Sequence, residues 1–142
     1  GPPIGIGVFI IDVAKGLLVI GLSMAASVSF AVVLWAGVMA VLGHSFPVFL
    51  RFHGGRGEAT AIGVLIAVLG WPAVIATTAG IVCLPFFKRV TPASAVGFVL
   101  LPLLCWAYGY SGVLVLYSMC LPGQVGLTHF LRVHALRVLR PA

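Results

Sequence analysis

The chain has 142 residues, 62% of them hydrophobic and only 7% charged, with a net charge of +6. Soluble domains carry about 25% charged residues, so no water-facing surface can be built from this composition. The chain reads as an all-α integral membrane protein, one multi-pass domain over 1–142, whose basic balance reflects topology and anionic lipid or substrate and not nucleic acid.

The chain begins Gly1-Pro2-Pro3 without a Met, as expected of a fragment or a processed product, and shows no signal-peptide pattern. Apolar segments are predicted at 6–24, 28–42, about 60–70, 72–87, about 94–108 and 113–128, giving six transmembrane helices. Asp12 and Lys15 interrupt the first. Their spacing puts both on one helical face, where they either neutralise each other near the headgroups or face a site within the membrane. The third segment is short for a span of ~20 residues, so it is expected to tilt or to begin inside the preceding loop. Gly70-Trp71-Pro72 is a turn signal with an interfacial Trp. Lys88-Arg89-Val90-Thr91-Pro92-Ala93-Ser94 forms a polar island before the fifth segment. Pro122-Gly123 is expected to kink the last one, and the tail from His129 carries Arg132, Arg137 and Arg140. Cys83, Cys105 and Cys120 lie apart in apolar runs and read as small buried hydrophobes, not as a disulfide or metal set.

The basic residues gather in 51–56, 88–89 and 132–140, whereas the turns near 25–27, 70–72 and 109–112 carry no charge. The positive-inside rule then places these islands and both termini on the cytoplasmic side.

Between the second and third segments lies the longest polar stretch, Gly43-His44-Ser45-Phe46-Pro47-Val48-Phe49-Leu50-Arg51-Phe52-His53-Gly54-Gly55-Arg56-Gly57-Glu58-Ala59-Thr60. It holds two of the eight Lys/Arg, one of the two acids and two of the four His. Gly54, Gly55 and Gly57 allow successive backbone N–H groups to turn toward one point, and Arg56 adds a planar donor fork that matches phosphate. Thr60 offers a hydroxyl or a cap for the following helix, whose dipole would favour an anion. The parts suit a phosphate cradle; the plainer alternative is a glycine-rich interfacial turn with a lipid-facing Arg. Neither a Walker A loop nor a dinucleotide fingerprint is present. His44 is a candidate proton acceptor at the membrane edge, or equally a helix C-cap. His129 and His134 lack acidic companions, so no metal site is expected.

This stretch closely resembles the second motif of the bacterial acyl-phosphate-dependent glycerol-3-phosphate acyltransferases (the PlsY type), roughly Gly-His-x-Phe-Pro-Val-Phe-Leu-x-Phe-x-Gly-Gly-Lys-Gly-Val-Ala-Thr. Ile11-Asp12-Val13-Ala14-Lys15-Gly16 resembles the Leu-Asp-x-x-Lys-Gly found upstream. Lys88 to Ser94 sits where the family has a basic residue followed by Val-Ser-Leu-x-Ser. The resemblance implies acyl transfer from a fatty acyl phosphate to the 1-hydroxyl of glycerol 3-phosphate. The product would be lysophosphatidic acid for phospholipid synthesis, made at the cytoplasmic face of the bacterial inner membrane, with no cofactor or metal and no acyl-CoA.

On this resemblance His44 and His134 are the candidate catalytic residues. The substrate phosphates fall to Gly54, Gly55, Arg56, Gly57, Thr60, Lys88, Ser94 and Arg140, with Asp12 and Lys15 beside them. Arg56 replaces the family's Lys, and Glu58 its Val. Of the third motif only His134 and Arg140 match. The first motif, Ser-Gly-Asn-x-Gly-Ala-Thr-Asn, is absent; it should lie on one further N-terminal helix. Either the chain is truncated or it is a divergent relative. The alternatives are a non-catalytic membrane protein that keeps the loop for lipid phosphate or a partner, and a small transporter in which Asp12 and Lys15 line a path. Arg56→Ala is expected to weaken glycerol 3-phosphate use about tenfold or more, with membrane insertion unchanged. Equal loss of both would exclude the cradle.

Overall fold

Breaks between the apolar runs, uncharged near 25–27, 70–72 and 109–112 and basic at 51–56 and 88–89, turn each helix back toward the previous one. The computed structural model, which describes residues 2–46 and 57–138, contains six helices: α1 (Pro2–Ala25), α2 (Phe30–Ser45), α3 (Glu58–Leu69), α4 (Trp71–Phe87), α5 (Val90–Ala107) and α6 (Gly112–Val138).

The breaks are built from residues that tolerate a left-handed backbone. Gly70 (φ 63°) ends α3 and starts α4 within a single residue, its N–H bonded to Ile66 O at 2.9 Å. Pro72 follows in the first turn, where a missing N–H costs nothing. Gly109 (φ 74°) turns the chain between α5 and α6. Lys88 closes α4 in the same left-handed region (φ 52°), unusual for a side chain of its size.

Three boundaries differ from the sequence reading. Residues 90–94, expected as part of a polar island, form the first turn of α5, because Pro92 there still needs no helical donor. Helix α2 starts at Phe30 and runs on to Ser45, so Phe46 is its C-cap and His44 lies inside its last turn. The expected tail from His129 is helical as far as Val138, continuous with α6. Of the three cysteines only Cys105 is buried; Cys83 is half-buried and Cys120 is exposed on the outer face.

Helix directions follow from cross-helix contacts. Asp12 meets His44 while Ile20 meets Gly37, so α1 and α2 are antiparallel. Tyr117 Oη donates to Leu34 O at 2.9 Å and Gln124 Nε2 to Val38 O at 3.3 Å, so α6 runs parallel to α2. Tyr110 Oη donates to Leu69 O at 2.6 Å, tying the start of α6 to the far end of α3. In lipid such buried side-chain bonds between helices fix register where apolar packing alone would slide. The result gathers the end of α2, the start of α3, the Lys88 turn and the end of α6 at one end of the bundle.

Helices α1 and α3 approach closely because both are glycine at the crossing. A Cβ on Gly63 would fall on Val13 O, and one on Gly16 on Thr60 O. Gly80 and Gly97 serve α4 and α5 likewise: a Cβ on Gly80 would lie 3.0 Å from Ala93 O. Ile20, Val41, Val64, Leu65, Leu101 and Leu121 fill the centre. Outside, Ile4, Leu18, Leu22, Val99, Leu103 and Leu116 are exposed, a surface made for lipid. By length and composition Pro3–Ala25, Val90–Ala107 and Gly112–Leu131 can each cross a membrane, while α2, α3 and α4 are shorter apolar helices packed among them.

Gly63→Val drives a branched side chain into α1 and should cost about 3 kcal/mol, seen as a fall in the thermal unfolding temperature in detergent. Gly21→Ala, whose Cβ meets nothing within 4 Å, should instead leave stability unchanged or raise it by about 0.5–1 kcal/mol.

Candidate active site

Three polar side chains, Asp12, Lys15 and His44, converge where α1 and α2 meet beside the start of α3. Asp12 is buried, and its Oδ1 lies 3.4 Å from Lys15 Nζ and 3.5 Å from His44 Nδ1. The i,i+3 pairing of Asp12 and Lys15 is the one expected from their spacing. Lys15 is 61% exposed, so this pair contributes little to stability. The carboxylate and imidazole are different: their side chains are only 12% and 18% exposed. A carboxylate at that depth is costly to keep unless it is paired.

The start of α3 closes the cluster. Gly57 caps it at φ 79°, and its carbonyl accepts the first helical bond from Ala61 N at 2.9 Å. A side chain at Gly57 would be strained by that backbone, and its Cβ would sit 2.7 Å from Ser45 Oγ. Thr60 is therefore not the cap that sequence suggested. It sits one turn inside, 2% exposed, and its Oγ1 has no hydrogen-bond partner among the described residues. The first amides of α3 also lack intrahelical acceptors, as in any helix. Together these donors and the helix dipole make a place suited to an anionic oxygen. Glu58, in the first turn, is on the dipole's favourable side for a carboxylate.

Beside the cluster runs an apolar groove of about 570 Å³ between α1, α3, α4 and α5. Phe9, on the same helical stripe as Asp12, forms one wall; Ile62 and Leu65, Ala73 and Gly80, and Val90 and Leu101 form the others. Ser94 stands on its rim, its Oγ donating to Thr91 O at 3.0 Å. The groove thus leads from an almost wholly hydrocarbon interior to the end of the bundle that bears the polar cluster.

The structure joins Asp12 to Lys15 and His44, sets Gly57 against Ser45 and the Thr60 carbonyl against Gly16, and places Ser94 along the groove. Lys88 is exposed in the turn between α4 and α5. His134 is exposed on α6, stacked on Phe130 with ring centroids 6.0 Å apart, and among the described residues no hydrogen bond or ion pair joins it to Asp12 or His44. Gly54, Gly55, Arg56 and Arg140 lie outside the described residues. The sequence reading passed over Ser45, fully buried against Gly57, and the groove itself. Ser45 was visible only as the residue after His44, while the groove is assembled from four helices and has no local signature.

The family model for glycerol-3-phosphate acyltransferase matches residues 1–136. A glycerol-3-phosphate acyltransferase 4 of Dehalococcoides mccartyi is 50% identical over 128 residues, covering 90% of this chain and 69% of that one. A glycerol-3-phosphate acyltransferase of Pseudomonas savastanoi pv. phaseolicola is 43% identical over 96 residues, 67% of this chain and 50% of its own. The chain therefore spans between about half and two thirds of the length of these relatives. A crystal structure of PlsY, an integral membrane glycerol 3-phosphate acyltransferase, in its glycerol 3-phosphate form superposes with a TM-score of 0.79 at 26% identity, over 99% of this chain and 70% of that one. The same protein in its lysophosphatidic acid form gives the same score. The fold is thus that of an integral membrane acyltransferase, and the chain belongs to the glycerol-3-phosphate acyltransferase family.

Proposed function

We propose that this chain transfers a fatty acyl group from acyl phosphate to the 1-hydroxyl of glycerol 3-phosphate, forming lysophosphatidic acid at the cytoplasmic face of a bacterial inner membrane. The observation that carries the reading is the meeting of two unlike surfaces: a polar cluster at the start of α3 and an apolar groove whose walls begin one turn away on α1. An acyl phosphate has the same division, a hydrocarbon tail and an anionic head. Glycerol 3-phosphate brings a second anion and a nucleophilic hydroxyl.

The chemistry asked of the protein is modest. An acyl phosphate is a mixed anhydride with a good leaving group, so holding donor and acceptor in line supplies much of the rate. Donors at the start of α3, with Thr60, suit the substrate phosphate or the carbonyl oxygen as charge builds on it. Gly54, Gly55 and Arg56 complete the cradle in this reading, and Lys15, Lys88 and Arg140 supply further positive charge. Either His44 or a substrate phosphate accepts the proton of the attacking hydroxyl. The new ester C–O bond forms as the anhydride C–O bond breaks, and phosphate departs with the bonding pair. His134 serves in this reading as a second contact for the acceptor at the end of α6.

The test is acyl transfer in membranes with palmitoyl phosphate and labelled glycerol 3-phosphate. Lysophosphatidic acid that disappears in Arg56→Ala is the expected result; a folded, inserted chain that makes none would leave a lipid-phosphate-binding relative without the chemistry. Thr60→Val gives a second check. Removing a buried hydroxyl that has no partner among the described residues should raise the stability of the ligand-free protein by about 1 kcal/mol. The same change should abolish most of the thermal stabilisation that glycerol 3-phosphate confers.

A further inference from the structure

We propose that the apolar groove gauges the length of the donor's acyl chain, with Leu65, Ala73 and Leu101 as the stop against which its methyl end rests. The inference rests on the acyl-transfer reading above and names the donors that the groove selects. In lipid a hydrocarbon chain gains little by moving from bilayer to an apolar wall, because lipid tails are as apolar as leucine. What a groove adds is shape. A trough of fixed length sets where the reacting carbonyl stands once the far end is full.

The groove has two unlike ends. Gly80 lies against Ala93 and Gly97 against Ala76, so α4 and α5 are antiparallel and Leu101 comes opposite Ala73 one turn further on. There Leu65, Ala73 and Leu101 are each 2% exposed and belong to the packed core. At the other end Leu84 and Val90 flank the Lys88 turn and are 38% and 54% exposed. The groove is therefore open beside the turn and closed inside the bundle. Between the ends its floor is the glycine and alanine seam of α4 and α5, which no side chain obstructs before Leu101. Ala73 to Leu84 on α4 and Val90 to Leu101 on α5 each advance about 16 Å at the α-helical rise. A C–C bond of about 1.5 Å runs obliquely to the axis of an extended alkyl chain, which gains about 1.3 Å per bond. The trough thus takes about 13 bonds. The carbonyl and the carbon beside it stand outside, at the polar end, so the matching chain has about 16 carbons, the length of palmitoyl. A shorter chain leaves the stop unfilled. A longer one lifts the carbonyl out of line or has to fold in a space too small for it.

The test is the donor profile of the full chain in membranes, with lauroyl, myristoyl, palmitoyl, stearoyl and arachidoyl phosphate at equal surface concentration. The parent should use palmitoyl phosphate best, and arachidoyl phosphate with a kcat/KM lower by about tenfold or more. Ala73→Leu fills the closed end. It should move the optimum to myristoyl or lauroyl phosphate and raise the lauroyl-to-palmitoyl ratio about tenfold. Leu101→Ala deepens that end and should move the optimum to stearoyl phosphate. Val99→Leu, on the exposed face of the same helix, should keep the parent profile. Ratios between donors within one variant do not depend on folded yield, so a purely structural role for Ala73 would lower every donor alike. A parent profile flat within about twofold, or folded variants with an unshifted optimum, overturns the proposal. If neither variant folds, the parent profile alone decides. Lysophosphatidic acid made with a flat profile removes the gauge and keeps the acyl-transfer reading; none from any donor removes both.

Discussion

The approach of α1 to α3 governs the rest of the molecule. Gly16 and Gly63 remove the side chains that would keep two helices about 8–10 Å apart, and backbone meets backbone at Val13 and Thr60. Without water as a driving force, such close contact is the main source of helix association in lipid. Its position matters more than its strength. The crossing lies within one turn of Asp12 on one helix and of Gly57 on the other, so the contact that closes the bundle also assembles the polar cluster. Helix α2 adds His44 and Ser45 because its own glycine, Gly37, admits Ile20 and Tyr117 at its centre.

How much of this was legible in the sequence depended on the range of the interaction. Six apolar runs with uncharged turns gave six helices in the right order, since periodicity and breakers act locally. The Asp12–Lys15 pair was equally local. The ends of helices were harder. Pro92 reads as a breaker until it is placed in a first turn, and the tail from His129 reads as separate from the last apolar run, yet α6 continues through it to Val138. Thr60 shows the same limit at a cap: Thr outranks most residues there, yet Gly57 holds the position because Ser45 and Val41 leave no room for anything larger.

The contacts that make a site were not local at all. Asp12 and His44 are joined only through the antiparallel register of α1 and α2. The groove draws on four helices, and none of its residues announces itself, since Gly80, Ala73 or Ile62 would be unremarked in any apolar segment. The motif around Gly54–Gly57 drew attention to the segment before α3 through the chemistry of glycine and arginine. It gave no indication of the buried carboxylate of Asp12 on α1.

Helix α3 is too short to cross the bilayer. Its 12 residues rise about 18 Å against ~30 Å of hydrocarbon. Trp71 is exposed at its far end; with that Trp at one interface and the helix upright, the first amide of α3 would lie on the order of 10 Å beneath the other surface. Helix α1 agrees, since residues 2–11 continue apolar beyond Asp12. For an acyl transfer at that depth the two reactants travel at right angles. Under the proposed reaction a small hydrophilic acceptor would descend along the membrane normal, while a tailed donor would enter sideways through the apolar groove.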